Sequence, residues 1–174
     1  HAEGLIALSA CGSGEVPRLL IEEQPDAARR AAAWYREAFG KDNFFIELQD
    51  HEIPELRRIT PQLIELARAL DIPLVATNDV HYVRREDAGA HDILLCIQTG
   101  ATVRDTNRMR MSDEGYYLKS YEEMAELFGE LPEALRNTLW IAERCEVNLD
   151  SNGYHLPRFD VPPEYPDAQS YLRA

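Results

Sequence analysis

A chain of 174 residues with 45% hydrophobic and 28% charged side chains is too apolar for disorder and long enough for one real core, since a domain of about 150 residues buries roughly 70% of its unfolded surface. With 31 acidic against 18 basic side chains the net charge is −13, which excludes a global field drawing the protein onto nucleic acid and leaves any such contact local or supplied by another part of a longer protein. Three widely spaced cysteines, Cys11, Cys96 and Cys145, with no C-x-x-C pair exclude a disulfide framework and point to a reducing, cytosolic compartment.

The first element is a strand, "GLIALSAC" from Gly4 to Cys11. It begins almost at once and no initiating Met precedes it, as expected of a piece of a longer chain. No basic start or cleavage pattern marks a signal peptide, and no apolar run approaches the ~18 residues of a membrane span. Helical patterns follow over Pro17 to Glu23 and Asp26 to Phe39, the second Ala-rich and stopped by Gly40. "NFFIELQDH", Asn43 to His51, reads as the second strand. From Pro54 to Leu70 the residues Leu56, Ile59, Leu63, Leu66, Ala67 and Leu70 recur at helical spacing. "PLVATNDVH", Pro73 to His81, is the third strand.

Short apolar strands alternating with amphipathic helices predict a parallel sheet covered by helices, because a parallel connection needs a crossover of about a dozen residues. In such α/β folds the site lies at the carboxyl ends of the strands, where Cys11, His51, Asp79 and His81 fall. Beyond His81, "REDAGAHDILLCIQTG" predicts a helix stopped by Gly100, "TVRDTNRMRMSDEG" a polar loop and "YYLKS" a short strand. Ser120, with Glu123 three residues on, predicts a capping box for "YEEMAELFG". "PEALRNTLWIAERCEV" opens a further helix with Pro132 in its first turn, and "PRFDVPPEYPDAQ" reads as a linker.

Asp79 and His81, two apart, project from one side of an extended backbone, and carboxylate with imidazole suits Zn²⁺ or Mn²⁺. The competing reading makes Asp79 a turn cap and His81 a loop histidine. Cys11, followed by the Gly-rich turn "GSGE", is a thiolate ligand or a small buried hydrophobe. Glu47 orients a ligand or forms a salt bridge; His51 touches a phosphate or begins a loop; Asn78 adjoins the Asp-x-His pair. His91 reads as a core or helix-surface histidine, and Cys96 and Cys145 as packing residues. Arg104, Arg108 and Arg110 form a basic cluster, either a phosphate-backbone contact or a solvated loop.

The succession "LIALSACGSGEVPRLL", "FFIELQDH", "PLVATNDVHYV", "AHDILLCIQTG", "YYLKSYEEMAELF", "PEALRNTLWIAERCEV" and "YHLPRF" resembles the bacterial replicative DNA polymerase III alpha subunits. The likeness falls on the second half of their PHP (polymerase and histidinol phosphatase) domain and the segment leading toward the palm. It implies part of a distorted (β/α)7 barrel over residues 1–103, a helical end over 104–150 and a linker toward the palm over 151–174. It also implies a metal site to which Cys11, Asp79 and His81 correspond, the family's histidine-rich motifs lying before residue 1. Glu47, His51 and Asn78, read from the residues alone, are candidate substrate contacts or supports for those ligands.

By the same resemblance the parent protein is a DNA-directed polymerase using Mg²⁺ at its palm, acting on primer–template DNA with other holoenzyme subunits in the cytoplasm, without membrane contact. The PHP domain is then a metal-dependent 3′–5′ exonuclease, inactive in this piece alone, or a non-catalytic scaffold for the polymerase and a proofreading subunit. A free-standing PHP phosphoesterase fits the polymerase-like continuation less well. An incomplete barrel leaves unpaired strand edges, so rearrangement, dimerisation or covering of those edges is expected of the isolated piece.

Overall fold

The computed structural model describes residues 2–148, 153 and 159–173. Strands β1 (Ala7–Leu8), β2 (Phe44–Leu48) and β3 (Leu74–Ala76) form one parallel sheet in that order. Ala7 lies opposite Phe44, and Ile46 opposite Leu74. Helices α1 (Glu15–Ile21) and α2 (Pro25–Phe39) carry the chain from β1 to β2, and α3 (Pro54–Ala69) from β2 to β3. The sheet and its crossovers have the α/β character of a partial PHP barrel.

The central strand explains why the sheet forms. Phe44, Phe45, Ile46 and Leu48 are all buried, the near-continuous apolar run that a strand covered on both faces requires. Each such side chain contributes about 1.5–3 kcal/mol on burial. On α3 the stripe Leu56, Ile59, Leu63, Leu66 and Ala67 is buried, the face that helical spacing picks out. Ala28 and Ala32 of α2 are fully buried, their small size allowing close approach, while Tyr35 stacks on Phe44 with centroids 5.2 Å apart.

A 3₁₀ turn (Arg85–Asp87) leads into α4 (Ala88–Thr99), which Gly100 ends in the left-handed region at φ 66°. Helix α5 (Tyr121–Phe128) carries the expected capping box: Ser120 Oγ accepts from the Glu123 N–H at 3.3 Å, and Glu123 Oε2 accepts from the Ser120 N–H at 2.8 Å. Helix α6 (Pro132–Arg144) packs on β3, where the Asn137 amide donates to the Leu74 carbonyl at 2.7 Å and Ala134 and Leu135 join the core. A short helix, α7 (Ala168–Arg173), lies within the segment expected to be linker. Most of "YHLPRF" and the start of that linker lie outside the described residues.

Three expectations are corrected. The strands are shorter than their extended-looking sequences, because the chain turns at Ala10 (φ 62°) and Asp79 (φ 45°); Asp79 and His81 therefore do not lie on a continuous extended strand. "YYLKS" is one parallel bridge, Tyr117 with Tyr82, rather than a strand, since the Gly115 and Tyr117 carbonyls accept from the Asn78 side chain. Cys145 is exposed, because α6 ends at Arg144, whereas Cys96 is buried as expected. Among the described residues β1 pairs with β2 alone, and Leu5 and Leu8 beside its outer edge are exposed. Among them too, no helix is long and apolar enough to cross a membrane.

Candidate functional site

The carboxyl ends of the three strands gather the residues with chemistry. After β1 the chain turns through Ala10 to Cys11, and the Gly14 N–H closes the turn on the Cys11 carbonyl at 2.8 Å. A Cβ on Gly14 would stand 2.1 Å from the Ser9 carbonyl oxygen. Glycine is thus required for the turn that presents the thiol. Cys11 is half-buried in a narrow crevice beside Pro17, Glu47 and Leu56.

At the end of β3, Asp79 Oδ1 and His81 Nε2 are 3.6 Å apart, each side chain more than a third exposed. This is too long for a hydrogen bond. It is close to the ~3.4 Å that separates two ligands of one tetrahedral ion at metal distances of about 2.0–2.2 Å. The left-handed backbone at Asp79 is one that an Asp tolerates better than most residues. His81 is oriented from several sides. Its N–H donates to the Tyr116 carbonyl at 2.8 Å, the Tyr116 ring meets it edge-on at 5.6 Å, and the His91 ring stands 5.3 Å away. His91 thus packs against the candidate site rather than into the core.

Asn78 is buried and fastens this end of the sheet. Its amide donates to the Gly115 and Tyr117 carbonyls, each at 2.7 Å, and its Oδ1 accepts from Lys119 Nζ at 2.8 Å. Burial holds the Lys119 ammonium below the usual lysine range. Glu47 takes hydrogen bonds from the Gln49 amide at 3.0 Å and from the Thr77 hydroxyl, and its N–H donates to Ser9 Oγ at 2.9 Å. Glu47 thereby joins the three strand ends, its N–H to β1 and its carboxylate to β3.

His51 lies flat on Tyr116, centroids 3.7 Å apart at 5°, and its Nδ1 is 3.6 Å from Asp113 Oδ1. Burial pushes the Asp113 carboxyl up, but hydrogen bonds from the Glu52 and Gly115 N–H groups and the Ser112 hydroxyl, with the nearby His51, hold it below the usual range. Burial raises the Tyr116 phenol, despite its bond with Ser112.

Of the three arginines, Arg108 is committed inside the protein. Its guanidinium is 3% exposed and forms two 2.6 Å hydrogen bonds to the Asp92 carboxylate. Arg104 and Arg110 are exposed. Tyr116, Asp113 and Lys119 belong to the site and were not singled out by sequence; "SDEG" marked only a turn there.

Among the described residues, no group of three or more His, Cys, Asp or Glu side chains is placed to hold a metal ion. Asp79 and His81 are brought together, and Cys11 shares their sheet end without joining their coordination distance. The pair fits two positions of a site that ordinarily uses three protein ligands.

The PHP domain family matches residues 1–51. Over 173 residues the chain is 48% identical to the DNA polymerase III subunit alpha of Treponema pallidum (strain Nichols), covering 99% of this chain. The chain belongs to the bacterial DNA polymerase III alpha-subunit family. The alpha subunit of Borreliella burgdorferi is 44% identical over 173 residues, and that of Thermus aquaticus 42% over 179, each covering 99% of this chain. The chain spans about 15% of the length of these relatives, so within the family it corresponds to one part, including the PHP region.

Proposed function

We propose that this chain is a PHP portion of a replicative DNA polymerase alpha subunit, and that Asp79, His81 and Cys11 bind a divalent cation, Zn²⁺ or Mn²⁺, for hydrolysis at the 3′ end of a DNA strand. The observation that carries the reading is the 3.6 Å approach of His81 Nε2 to Asp79 Oδ1 beyond a parallel strand. Such a cation, when bound, supplies an activated water and charge stabilisation for the leaving oxygen.

The chain's own residues supply position. Asn78 and Lys119 hold the 115–119 backbone against β3, Tyr116 and His91 orient the His81 ring, and the Gly14 turn sets Cys11 on the neighbouring strand end. Cys11 would help hold the cation together with residues from the rest of the barrel. The isolated chain is therefore not a competent nuclease. DNA synthesis, the palm Mg²⁺ and contacts with primer–template DNA and other holoenzyme subunits belong to the longer protein. Arg104 and Arg110, exposed where Arg108 is paired, are the phosphate-contact candidates.

A second reading, a metal-free scaffold for the polymerase and a proofreading subunit, is favoured by the lack of a three-ligand group among the described residues. Release of nucleotides from a primer end by the full-length subunit, with and without Asp79→Asn, separates the two. Activity lost on substitution supports hydrolysis. An inert wild-type protein supports the scaffold.

A further inference from the structure

A cleft of about 450 Å³ opens between the end of β2, the 3₁₀ turn and the 113–119 segment. His51 forms part of its wall. Its side chain is 1% exposed, and among the described residues neither ring nitrogen has a hydrogen-bond partner. An imidazole carries at least one N–H in any protonation state, and leaving a buried donor unpaired costs about 1–3 kcal/mol. Such a group in a native structure calls for an explanation, and a missing ligand is one.

The inner acceptors of the cleft, Asp113, the Gly115 carbonyl and Asn78 Oδ1, are already engaged. Asp113 takes the N–H groups of Glu52 at 2.9 Å and Gly115 at 2.6 Å and the Ser112 hydroxyl at 2.9 Å. The Gly115 carbonyl takes both Asn78 and Lys119, and Asn78 Oδ1 takes Lys119. The donors are not. Lys119 has two hydrogen-bonded partners for three ammonium protons and stands 4.8 Å over the Tyr117 ring. Arg85 lies 5.7 Å over the Tyr117 ring, and among the described residues its guanidinium has no hydrogen bond or ion pair. Of the remaining carboxylates, Asp50 stands 3.6 Å from Arg57, while Glu52 and Glu114 are exposed at the rim, where solvent and salt screen them.

We propose that this cleft binds a phosphate group through His51, Lys119 and Arg85. Open donors beside engaged inner acceptors suit a ligand rich in acceptors, and charge-assisted bonds to phosphate are the strong class. Tyr116 stands between the cleft and the cation pair, flat on His51 and edge-on to His81. A phosphate held here lies one ring away from the proposed hydrolytic centre. The inference deepens that function and rests on it for the source of the phosphate, a DNA strand; free phosphate is the alternative source.

The test follows the His51 ring nitrogens by NMR in this chain, in chelator-treated buffer so that the cation pair plays no part. Inorganic phosphate is titrated first, then a short single-stranded oligodeoxynucleotide. Both are expected to shift the His51 signals, with Arg85→Ala weakening binding about tenfold, the loss of roughly one charge-assisted contact. His51→Phe, which keeps the stack on Tyr116 and removes both nitrogens, is expected to weaken it similarly, read by calorimetry. Arg85 is exposed, so its variant reports even if His51→Phe fails to fold. A strand binding more tightly than phosphate assigns the DNA source; equal binding assigns free phosphate. No shift at His51, or binding unchanged in Arg85→Ala, overturns the proposal and leaves the metal reading standing on its own test.

Discussion

The ends of β1 and β3 both present side chains of metal-ligating type, yet they are held in unlike ways. At β1 the support is local: the Gly14 N–H closes on Cys11, and the turn lies so near Ser9 that a Cβ would collide with its carbonyl. At β3 it comes from far along the chain, with Asn78 reaching residues 37 and 39 positions on and Lys119 returning across 41. A locally built end keeps its shape wherever its turn forms. A remotely built end holds its side chains in place only while the 113–119 segment is docked, so the Asp79–His81 pair should be the more fragile half.

The sharpest way to break the contrast is Asn78→Ala. It removes three hydrogen bonds, those to the Gly115 and Tyr117 carbonyls and the one from Lys119, and leaves the Tyr117 carbonyl without its side-chain donor, and about 2–4 kcal/mol of stability should be lost in denaturant unfolding. Hydrogen exchange should rise first at residues 115–119. Gly14→Ala attacks the other end, and its 2.1 Å clash should cost about 1–3 kcal/mol. Gly89→Ala inside α4, where nothing stands within 4 Å of the new Cβ, should instead gain about 0.5–1 kcal/mol. Thermal unfolding distinguishes the two glycines.

Acid should loosen the β3 side with a smaller effect. The Asp113 carboxyl is held low in the folded protein, whereas its unfolded value is about 3.9. Its contribution is fully present above that unfolded value and is lost as pH falls from about 4 through the depressed one. The acid limb of a stability–pH curve should therefore flatten in Asp113→Asn. An unchanged limb would remove Asp113 from the support of this end.

Much of this construction was readable beforehand. The buried stripe of α3 follows its helical period, the Ser120–Glu123 capping box formed as its spacing required, and the alternation of strands and helices implied the parallel sheet. The strand ends were drawn too long because Thr77 to His81 looks extended, and the turn at Asp79 was legible only in the competing reading of that residue as a turn cap. The roles of Tyr116, Asp113 and Lys119 were invisible for a different reason: they arise from contacts across tens of residues, which periodicity and turn chemistry do not encode. Arg108 is similar, since its partner Asp92 lies 16 positions back on α4 and not at helical spacing.

The central claim is that Asp79 and His81 are paired to share a cation. Metal content and Zn²⁺ or Mn²⁺ affinity of the full-length alpha subunit, compared with Asp79→Asn and His81→Ala, test it most directly. The account predicts at least a tenfold loss of affinity for each variant, about 1.4 kcal/mol, with the secondary structure intact by circular dichroism. Equal metal content and affinity in all three proteins would contradict it.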